Sequence, residues 1–298
     1  MTRPSAHPSG LSNADRRNFD IIAEIAHKEA GLAIPFEKAP MVFARLSKLQ
    51  SRLGLNDAGE YCTLLTSSKG DLERRHLICA LTTNVTSFFR EAHHFDYMRK
   101  IIAPDLIARA RAGDRIRIWS AGCSDGSEPY SIAMTLLDCC RDIGQFDIRI
   151  LATDIDCEIL GIARLGRYKA DRLGSIPESY RRNFVEQVGD ADKDAALIQV
   201  SSTARNLVHF RELNLVGHWP MKQKFDIIFC RNVLIYFDQD TQMRLWPRFE
   251  DACKPGGHLF IGHSERLPSR HTTDFRPIAT TTYRRHPADT GRRQDREE

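Results

Sequence analysis

IRIWSAGCSDGSEPYSIAM, residues 116–134, is the stretch of sequence that decides the fold. Its first four residues have the composition of a short buried strand. Gly122 and Gly126 then interrupt the apolar pattern, and an apolar helix begins near Pro129. Proline suits the first turn of a helix, where its missing N–H is not needed. The stretch therefore predicts a strand, a glycine turn and a helix N-terminus.

A turn of this kind has two interpretations. Glycine lets the backbone approach a ligand closely, and the free N–H groups of a helix N-terminus attract anionic groups, so the turn is typical of a cofactor-binding corner. It is equally typical of an ordinary strand-to-helix connection in an α/β protein. The stretch alone does not choose between them.

Strands and helices alternate from residue 116 to residue 262. The apolar run Phe225–Cys230 is the clearest buried strand, and 146–152 and 258–261 are further β-rich runs. This alternation predicts an α/β fold with a mostly parallel, doubly wound sheet.

Polar residues follow the ends of two of these strands. Arg231, Asn232 and Tyr236 come after Phe225–Cys230, and Asp154 comes after the run 146–152. Ligands of open α/β sheets bind beyond the carboxyl ends of the strands, so we expect these side chains on the functional rim.

Asp154 fits the acidic residue that holds a ribose diol in doubly wound sheets. It lies farther from the glycines than the ~20 residues of a dinucleotide fingerprint, and the turn lacks the full G-x-G-x-x-G pattern. Both points favour a different adenosine-containing ligand. The alternative is that Asp154 or Asp156 caps a predicted helix over Cys157–Leu165.

Residues 13–80 predict a helical domain with helices over 13–30, 36–54, 58–65 and 72–81, two of which end at Gly31 and Gly54. On the second helix, basic residues share one face: Lys38, Arg45, Lys48 and Arg52. Such a face is usually a solvated helix surface, and the alternative is a docking surface for an acidic partner.

The remaining segments are less regular. Residues 81–112, which begin with a cluster of threonine and asparagine, predict a capped linker helix that contributes to the site, ahead of a main domain over 113–285. Residues 166–212 predict a small inserted β-subdomain, with a helix over 180–188 and a hairpin of strands 196–200 and 206–210. A last β-rich segment covers 278–284. Residues 1–12 and 286–298 predict disordered ends.

Composition excludes several classes of protein. The 298 residues carry a net charge of +4, too mild to argue for a nucleic-acid partner. The 8 cysteines form no C-x-x-C pair and no zinc spacing, so we expect reduced thiols and no metal. The sequence has no run that could span a membrane and no signal-peptide pattern, which predicts a cytoplasmic protein.

Five motifs occur in the order typical of the chemotaxis receptor methyltransferase family, CheR, and the chain resembles that family over about residues 15–285. They are TTNVTSFFRE (82–91), SAGCSDGSEPYS (120–131), ATDID (152–156), FDIIFCRNVLIYFD (225–238) and GGHLFIGHSE (256–265). The resemblance implies an all-helical N-terminal domain and a Rossmann-like domain that binds S-adenosylmethionine (SAM) and carries a small antiparallel β-subdomain. It also implies esterification of glutamate side chains on the cytoplasmic helices of chemoreceptors, with S-adenosylhomocysteine as the product.

The resemblance assigns roles to residues at matching positions. Asp154 would hold the ribose hydroxyls and Glu128 would lie beside the methionine end of SAM. Arg90 and Tyr236 are the candidates for catalysis near the transferred methyl group. The implied cofactor-binding set is Asn84, Thr86, Arg90, Gly122, Glu128, Asp154, Asn214, Leu215, Arg231 and Asn232.

The chain departs from the family at one point. The family usually has S-T-G-E-E-P-Y where this chain has Ser-Asp-Gly-Ser-Glu-Pro-Tyr at 124–130, so Asp125 replaces threonine and Ser127 replaces glutamate. We expect slightly altered cofactor affinity and retained function.

Methylation of a glutamate carboxylate needs few catalytic groups from the protein. A glutamate carboxylate, with a pKa of about 4.3, is already ionised at neutral pH, so no general base is required. The implied partner is a chemoreceptor, and the basic face of the second helix would steer its docking to a monomeric enzyme. The alternatives are a SAM-dependent methyltransferase with another acceptor, or a non-catalytic SAM-sensing module.

Overall fold

A computed structural model of the chain describes residues 11–188, 196–267 and 273–286. The N-terminal part is helical. Its helices are α1 (Asn13–Ala30), α2 (Ala39–Leu53), α3 (Ala58–Thr66) and α4 (Asp71–Leu81). The rest alternates strands with helices α5 (His93–Tyr97), α6 (Ala103–Arg111), α7 (Ser127–Cys139), α8 (Cys157–Leu165), α9 (Glu178–Phe184), α10 (Ser202–Asn206) and α11 (Gln239–Ala252). A π-helical turn, Met98–Ile102, joins α5 to α6.

The strands form two sheets within the described residues. They are β1 (Ile116–Ala121), β2 (Ile148–Asp154), β3 (Arg167–Lys169), β4 (Val185–Val188), β5 (Leu197–Val200), β6 (Val208–Glu212), β7 (Phe225–Cys230), β8 (Cys253–Ile261), β9 (Phe275–Ala279) and β10 (Thr282–Arg285). The large sheet has the order β6-β2-β1-β7-β8-β10-β9. Its first five strands are parallel and β10 and β9 run antiparallel, which confirms the mostly parallel α/β fold.

Both faces of the large sheet are buried, and β1 shows why. Ile116 and Ile118 pack into one core cluster, whereas Trp119 and Ala121 pack into a second. Successive side chains of a strand point to opposite faces, so a strand covered on both sides is mostly apolar on both. This explains the mostly apolar sequence of β7, which is buried along its whole length. Its one charged residue, Asp226, is paired with Arg109 and Lys254.

The N-terminal helices have a separate core built on α1, and local sequence signals fix the ends of that helix. Ser12 and Asp15 form a capping box at its start, and Gly31, with φ of 70°, ends it. The predicted ends at Gly31 and Gly54 are therefore confirmed. The core of this part gathers apolar residues of all four helices, including Ile22, Leu46, Leu65 and Leu77.

The predicted hairpin at 196–210 is wrong. Its first strand is β5, which pairs antiparallel with β3 and β4 in a small separate sheet. Its second strand is β6, which pairs in parallel with β2 at the edge of the large sheet. The polar residues between them form α10, which Ser201 caps by accepting a hydrogen bond from the N–H of Ala204. The antiparallel subdomain is present, but its strands end at Val200.

Other boundaries also differ from the predictions. The predicted helix over 180–188 stops at Phe184, where β4 begins, and the segment 278–284 is part of a two-stranded β9–β10 hairpin. Of the ends predicted to be disordered, the structure describes Leu11, Ser12 and His286, and both Ser12 and His286 make hydrogen bonds. The other residues of these ends lie outside the described residues. Among the residues that are described, no helix combines the length and apolar character needed to cross a membrane.

Candidate active site

A cavity open to solvent lies at the carboxyl ends of β1, β2 and β7. Residues 81–86 and the segment after α1 complete its walls. Every residue that the family resemblance assigned to SAM or to catalysis lines it: Asn84, Thr86, Arg90, Gly122, Glu128, Asp154, Asn214, Leu215, Arg231, Asn232 and Tyr236. The structure thus brings together residues that are 152 positions apart in sequence, from Asn84 to Tyr236. Their individual roles stay predictions.

Contacts within the protein determine the backbone conformation of the glycine turn after β1. Gly122 has φ of 76°, and a Cβ at this position would stand 2.3 Å from Cγ2 of Val233. The N–H groups of Gly122 and Cys123 both donate to the carbonyl of Thr153, at 2.7 and 2.9 Å. Glycine is therefore required at 122 by backbone conformation and by packing against the turn after β7.

The two departures from the family pattern form one hydrogen-bonded unit. Asp125 Oδ1 accepts from the N–H and the hydroxyl of Ser127, at 3.0 and 2.6 Å. Asp125 Oδ2 accepts from Arg172, 2.9 Å away, and Arg172 also donates to the carbonyl of Thr86 at 2.6 Å. Arg172 precedes α9 in the subdomain, so this unit ties the subdomain to the cavity wall.

Of the two aspartates after β2, Asp156 is the helix cap and Asp154 lines the cavity. Asp156 caps α8 by accepting from two N–H groups of its first turn, and it also accepts from Asn84 Nδ2 at 2.8 Å. Asp154 lines the cavity and accepts from the N–H groups of Ser124 and Asp156, at 2.8 and 3.1 Å. Burial raises the pKa of Asp154, and these hydrogen bonds oppose the rise.

Glu128 and Arg231 form a buried ion pair in the cavity wall. Glu128 Oε1 accepts from the hydroxyl of Ser120 at 2.7 Å, and Oε2 accepts from Arg231 Nη1 at 2.9 Å. Burial raises the pKa of Glu128, and the charge of Arg231 opposes the rise. Arg231 Nη2 also donates to the carbonyl of Arg90 at 2.5 Å. Arg231 therefore joins the turn after β7 to α7 and to the segment that carries Arg90.

Glu265 is a residue of the site that the sequence reasoning missed. Its carboxylate accepts from the N–H groups of Asn232, Val233 and Leu234, at 3.0, 2.8 and 2.8 Å, and from Gly262. It holds the turn after β7, where Asn232 has a left-handed φ of 59°. The signal was present in the motif GHSE, which carries an acidic residue just beyond the end of β8.

Asn214 joins the helical part to the cavity. Its Nδ2 donates to the carbonyl of Glu29 at 2.6 Å, and its Oδ1 accepts from the N–H of Val216 at 3.1 Å. Close by, the N–H of Ala33 donates to the carbonyl of Tyr236 at 2.9 Å. The end of α1 is thus fixed to two of the cavity-lining segments, and the amide of Asn214 already has partners within the protein.

The basic face predicted for the second helix is only partly available to a partner, because two of its four residues are engaged within the protein. Arg45 donates to the carbonyls of Ala80, Leu81 and Thr82, at 3.2, 2.9 and 2.8 Å, where it caps the end of α4. Arg52 pairs with Glu73 at 2.7 Å. Lys38 and Lys48 are exposed. Arg45 also brings this face to the cavity, because Leu81 and Thr82 line it.

Comparisons with known proteins agree on one family. The family model described as "CheR methyltransferase, SAM binding domain" matches residues 84–284, and "CheR methyltransferase, all-alpha domain" matches residues 17–82. A probable chemotaxis protein methyltransferase of Rhizobium etli is 46% identical over 258 residues, which cover 87% of this chain and 96% of the relative. The chemotaxis protein methyltransferase of Escherichia coli is 41% identical over 253 residues, 84% of each chain.

Proposed function

The chain belongs to the CheR methyltransferase family, and from this premise we propose that it transfers a methyl group from SAM to glutamate side chains of chemoreceptors. The products are glutamyl methyl esters and S-adenosylhomocysteine. That it is a SAM-dependent methyltransferase of chemotaxis follows from the family and its relatives. The glutamate acceptor and its place on the cytoplasmic helices of the receptors are our proposal.

One observation carries the proposal: a single cavity gathers Asp154, the Glu128–Arg231 pair and Arg90. A carboxylate at the end of β2 suits the ribose hydroxyls of an adenosine ligand. Glu128 and Asp154 both line this cavity, and their carboxylates suit a ligand that carries a positive charge. When bound, SAM supplies an electrophilic methyl group on a positively charged sulfur.

The protein residues have positioning work to do. The acceptor carboxylate is ionised at neutral pH and needs no base, since its ordinary pKa is about 4.3. Arg90 has a guanidinium group that can pair with that carboxylate, and the hydroxyl of Tyr236 can donate a hydrogen bond to it. Both residues line the cavity, so they would hold the carboxylate in line with the methyl group and reduce its contact with water.

The test is a transfer assay with a chemical readout. The protein is incubated with methyl-labelled SAM and membranes that contain chemoreceptors, and the labelled receptors are then treated with base. We expect label on the receptor that base releases as methanol, because carboxyl methyl esters are base-labile. Base-stable label would indicate another acceptor group, and SAM binding without transfer to any receptor would indicate a sensing module.

We also propose that two exposed lysines, Lys38 just before α2 and Lys48 within it, help to dock the receptor. Reversing both charges, Lys38→Glu with Lys48→Glu, should raise the apparent KM for the receptor about three- to tenfold, since exposed pairs contribute roughly 0.2–1 kcal/mol each. The Kd for SAM should not change, and the effect should shrink at high salt. The measurement is initial-rate kinetics at two salt concentrations, with SAM binding by calorimetry.

A matched control keeps the total charge change and moves it off α2. Lys69→Glu with Lys100→Glu alters two exposed lysines outside this helix. If the control raises the receptor KM as much as the α2 variant does, net charge and not this face governs docking. Arg45 is unsuitable for such a test, because its contacts with the end of α4 make it structural.

A further inference from the structure

Glu91, next to Arg90, is partly buried and has an unfavourable backbone conformation. Its φ is 56°, and that of Phe89 is 52°. A left-handed conformation at a non-glycine residue costs roughly 1–2 kcal/mol, so other contacts must hold both residues in place. Phe89 is held by its N–H, which donates to Ser131 Oγ at 2.9 Å, and by packing against Phe95. The two bends leave Arg90 between them, on the cavity wall.

The carboxylate of Glu91 joins three segments. Oε1 accepts from Nδ1 and the backbone N–H of His263, at 2.8 and 3.2 Å. Oε2 lies 3.4 Å from Arg231 Nη2 and 3.6 Å from His94 Nδ1. The side chain is 12% exposed. Burial raises the pKa of Glu91, but the hydrogen bond from His263 and the charge of Arg231 outweigh it and bring that pKa to about 2.

Arg231 contacts both Glu91 and Arg90 and so connects them. Its guanidinium group lies between the carboxylates of Glu91 and Glu128, and its Nη2, the atom nearest Glu91, donates to the carbonyl of Arg90. We infer that Glu91 is a positioning residue of the active site, which orients Arg231 and, through it, fixes the backbone of Arg90. The inference rests on the proposed function, in which Arg90 meets the acceptor carboxylate.

A metal site is the rival explanation for the same atoms. Ligand atoms of Glu91, His93 and His94 lie within 4.8 Å of one another. A cation there would stand beside Arg231, whose Nη2 is 3.4 Å from the same carboxylate, and His94 Nε2 already lies 2.7 Å from the hydroxyl of Thr281. The charges and contacts therefore favour the positioning role.

The experiment compares Glu91→Gln and Glu91→Ala with the unaltered enzyme. Alanine removes every contact of the carboxylate, so we expect the single-turnover rate of methyl transfer to fall about thirtyfold. Glutamine keeps one acceptor oxygen, which can serve His263 or Arg231 but not both, so its rate should fall less than that of the alanine variant, by about fivefold at most. The Kd for SAM should change less than threefold in both, because Arg231 keeps its bond to Glu128. Glu24→Gln, on the exposed surface of α1, is the control.

Hydrogen exchange of residues 84–94 gives a readout that needs no acceptor. In Glu91→Ala these amides should exchange about tenfold faster than in the unaltered enzyme, with helices α1–α4 unchanged. If the enzyme labels no receptor, the proposed function fails, while this measurement still tests the positioning role. Unchanged rates and exchange in the alanine variant would overturn the inference. So would a loss of SAM affinity equal to the loss of rate, or activity that a chelator removes and Zn²⁺ restores.

Discussion

Replacing Arg231 by methionine is expected to destabilise the protein by about 3–5 kcal/mol, the range measured when one partner of a buried ion pair is removed. The Arg231 side chain is 2% exposed and pairs with Glu128 and Glu91, which are 10% and 12% exposed. Methionine would fill much of the volume but leave two carboxylates without their cation. SAM affinity should also fall, because Glu128 in the cavity wall loses the hydrogen bond from Arg231 and keeps only that from Ser120.

Urea unfolding, followed by tryptophan fluorescence, measures the loss, and a second substitution tests its cause. Adding Glu128→Gln to Arg231→Met removes one of the stranded charges, so the double variant should be more stable than the single variant. An equal or greater loss in the double variant would contradict the explanation by unpaired charge. It would indicate that packing of the guanidinium group is the main contribution.

The stability lost in the Arg231→Met variant should depend on pH, and the direction of that dependence can be predicted. Burial already raises the pKa of Glu128, and removing Arg231 takes away the charge that opposes the rise. A carboxyl group whose pKa is higher in the folded state binds its proton more tightly there, so acidification favours the folded state at this site. The stability difference between Arg231→Met and the unaltered protein should therefore shrink as the pH falls from 7 towards the ordinary glutamate pKa of about 4.3.

Local sequence patterns predicted the helices and strands but not the pairing of strands that are distant in sequence. The strand Phe225–Cys230 and the helix Cys157–Leu165 were predicted with correct ends, because an apolar run and a capping aspartate are local signals. β6 was also recognised as β-rich, but its partner is β2, about 58 residues earlier in the chain as judged from Val208 and Ile150. Pairing between such distant segments depends on the packing of the whole sheet, so adjacency in sequence suggested a hairpin instead.

In the site, too, the sequence predicted which residues take part but not the contacts between them. The motifs identified which residues line the cavity, but not which side chains hold them there. Asn84 bonds to Asp156, Arg45 caps α4, and Glu265 accepts from the three backbone N–H groups of residues 232–234. Each of these contacts joins segments that only the folded chain brings within 3.5 Å, so their partners follow from geometry and not from spacing.

Arg90→Ala is expected to lower kcat for receptor methylation about a hundredfold, which is the scale of losing correct placement of a reacting group. In the structure Arg90 Nη1 donates to the carbonyl of the exposed residue Val85 at 3.0 Å, and both residues line the cavity. We propose that its guanidinium group pairs with the acceptor carboxylate. The Kd for SAM should change only a few-fold, because the Glu128–Arg231 pair and Asp154 remain.

Two further variants separate charge from geometry. Arg90→Lys keeps the charge but loses the planar pair of donors, so its kcat should fall about tenfold, between those of the unaltered and alanine enzymes. Tyr236→Phe removes one hydroxyl and should cost less than Arg90→Ala, about three- to tenfold for one neutral hydrogen bond. Pre-steady-state kinetics at saturating SAM measures the rate of methyl transfer, and calorimetry measures the Kd for SAM. If Arg90→Ala weakens SAM binding as much as it slows transfer, Arg90 acts on the cofactor and the acceptor carboxylate must be held by other residues, of which Tyr236 is the first to test.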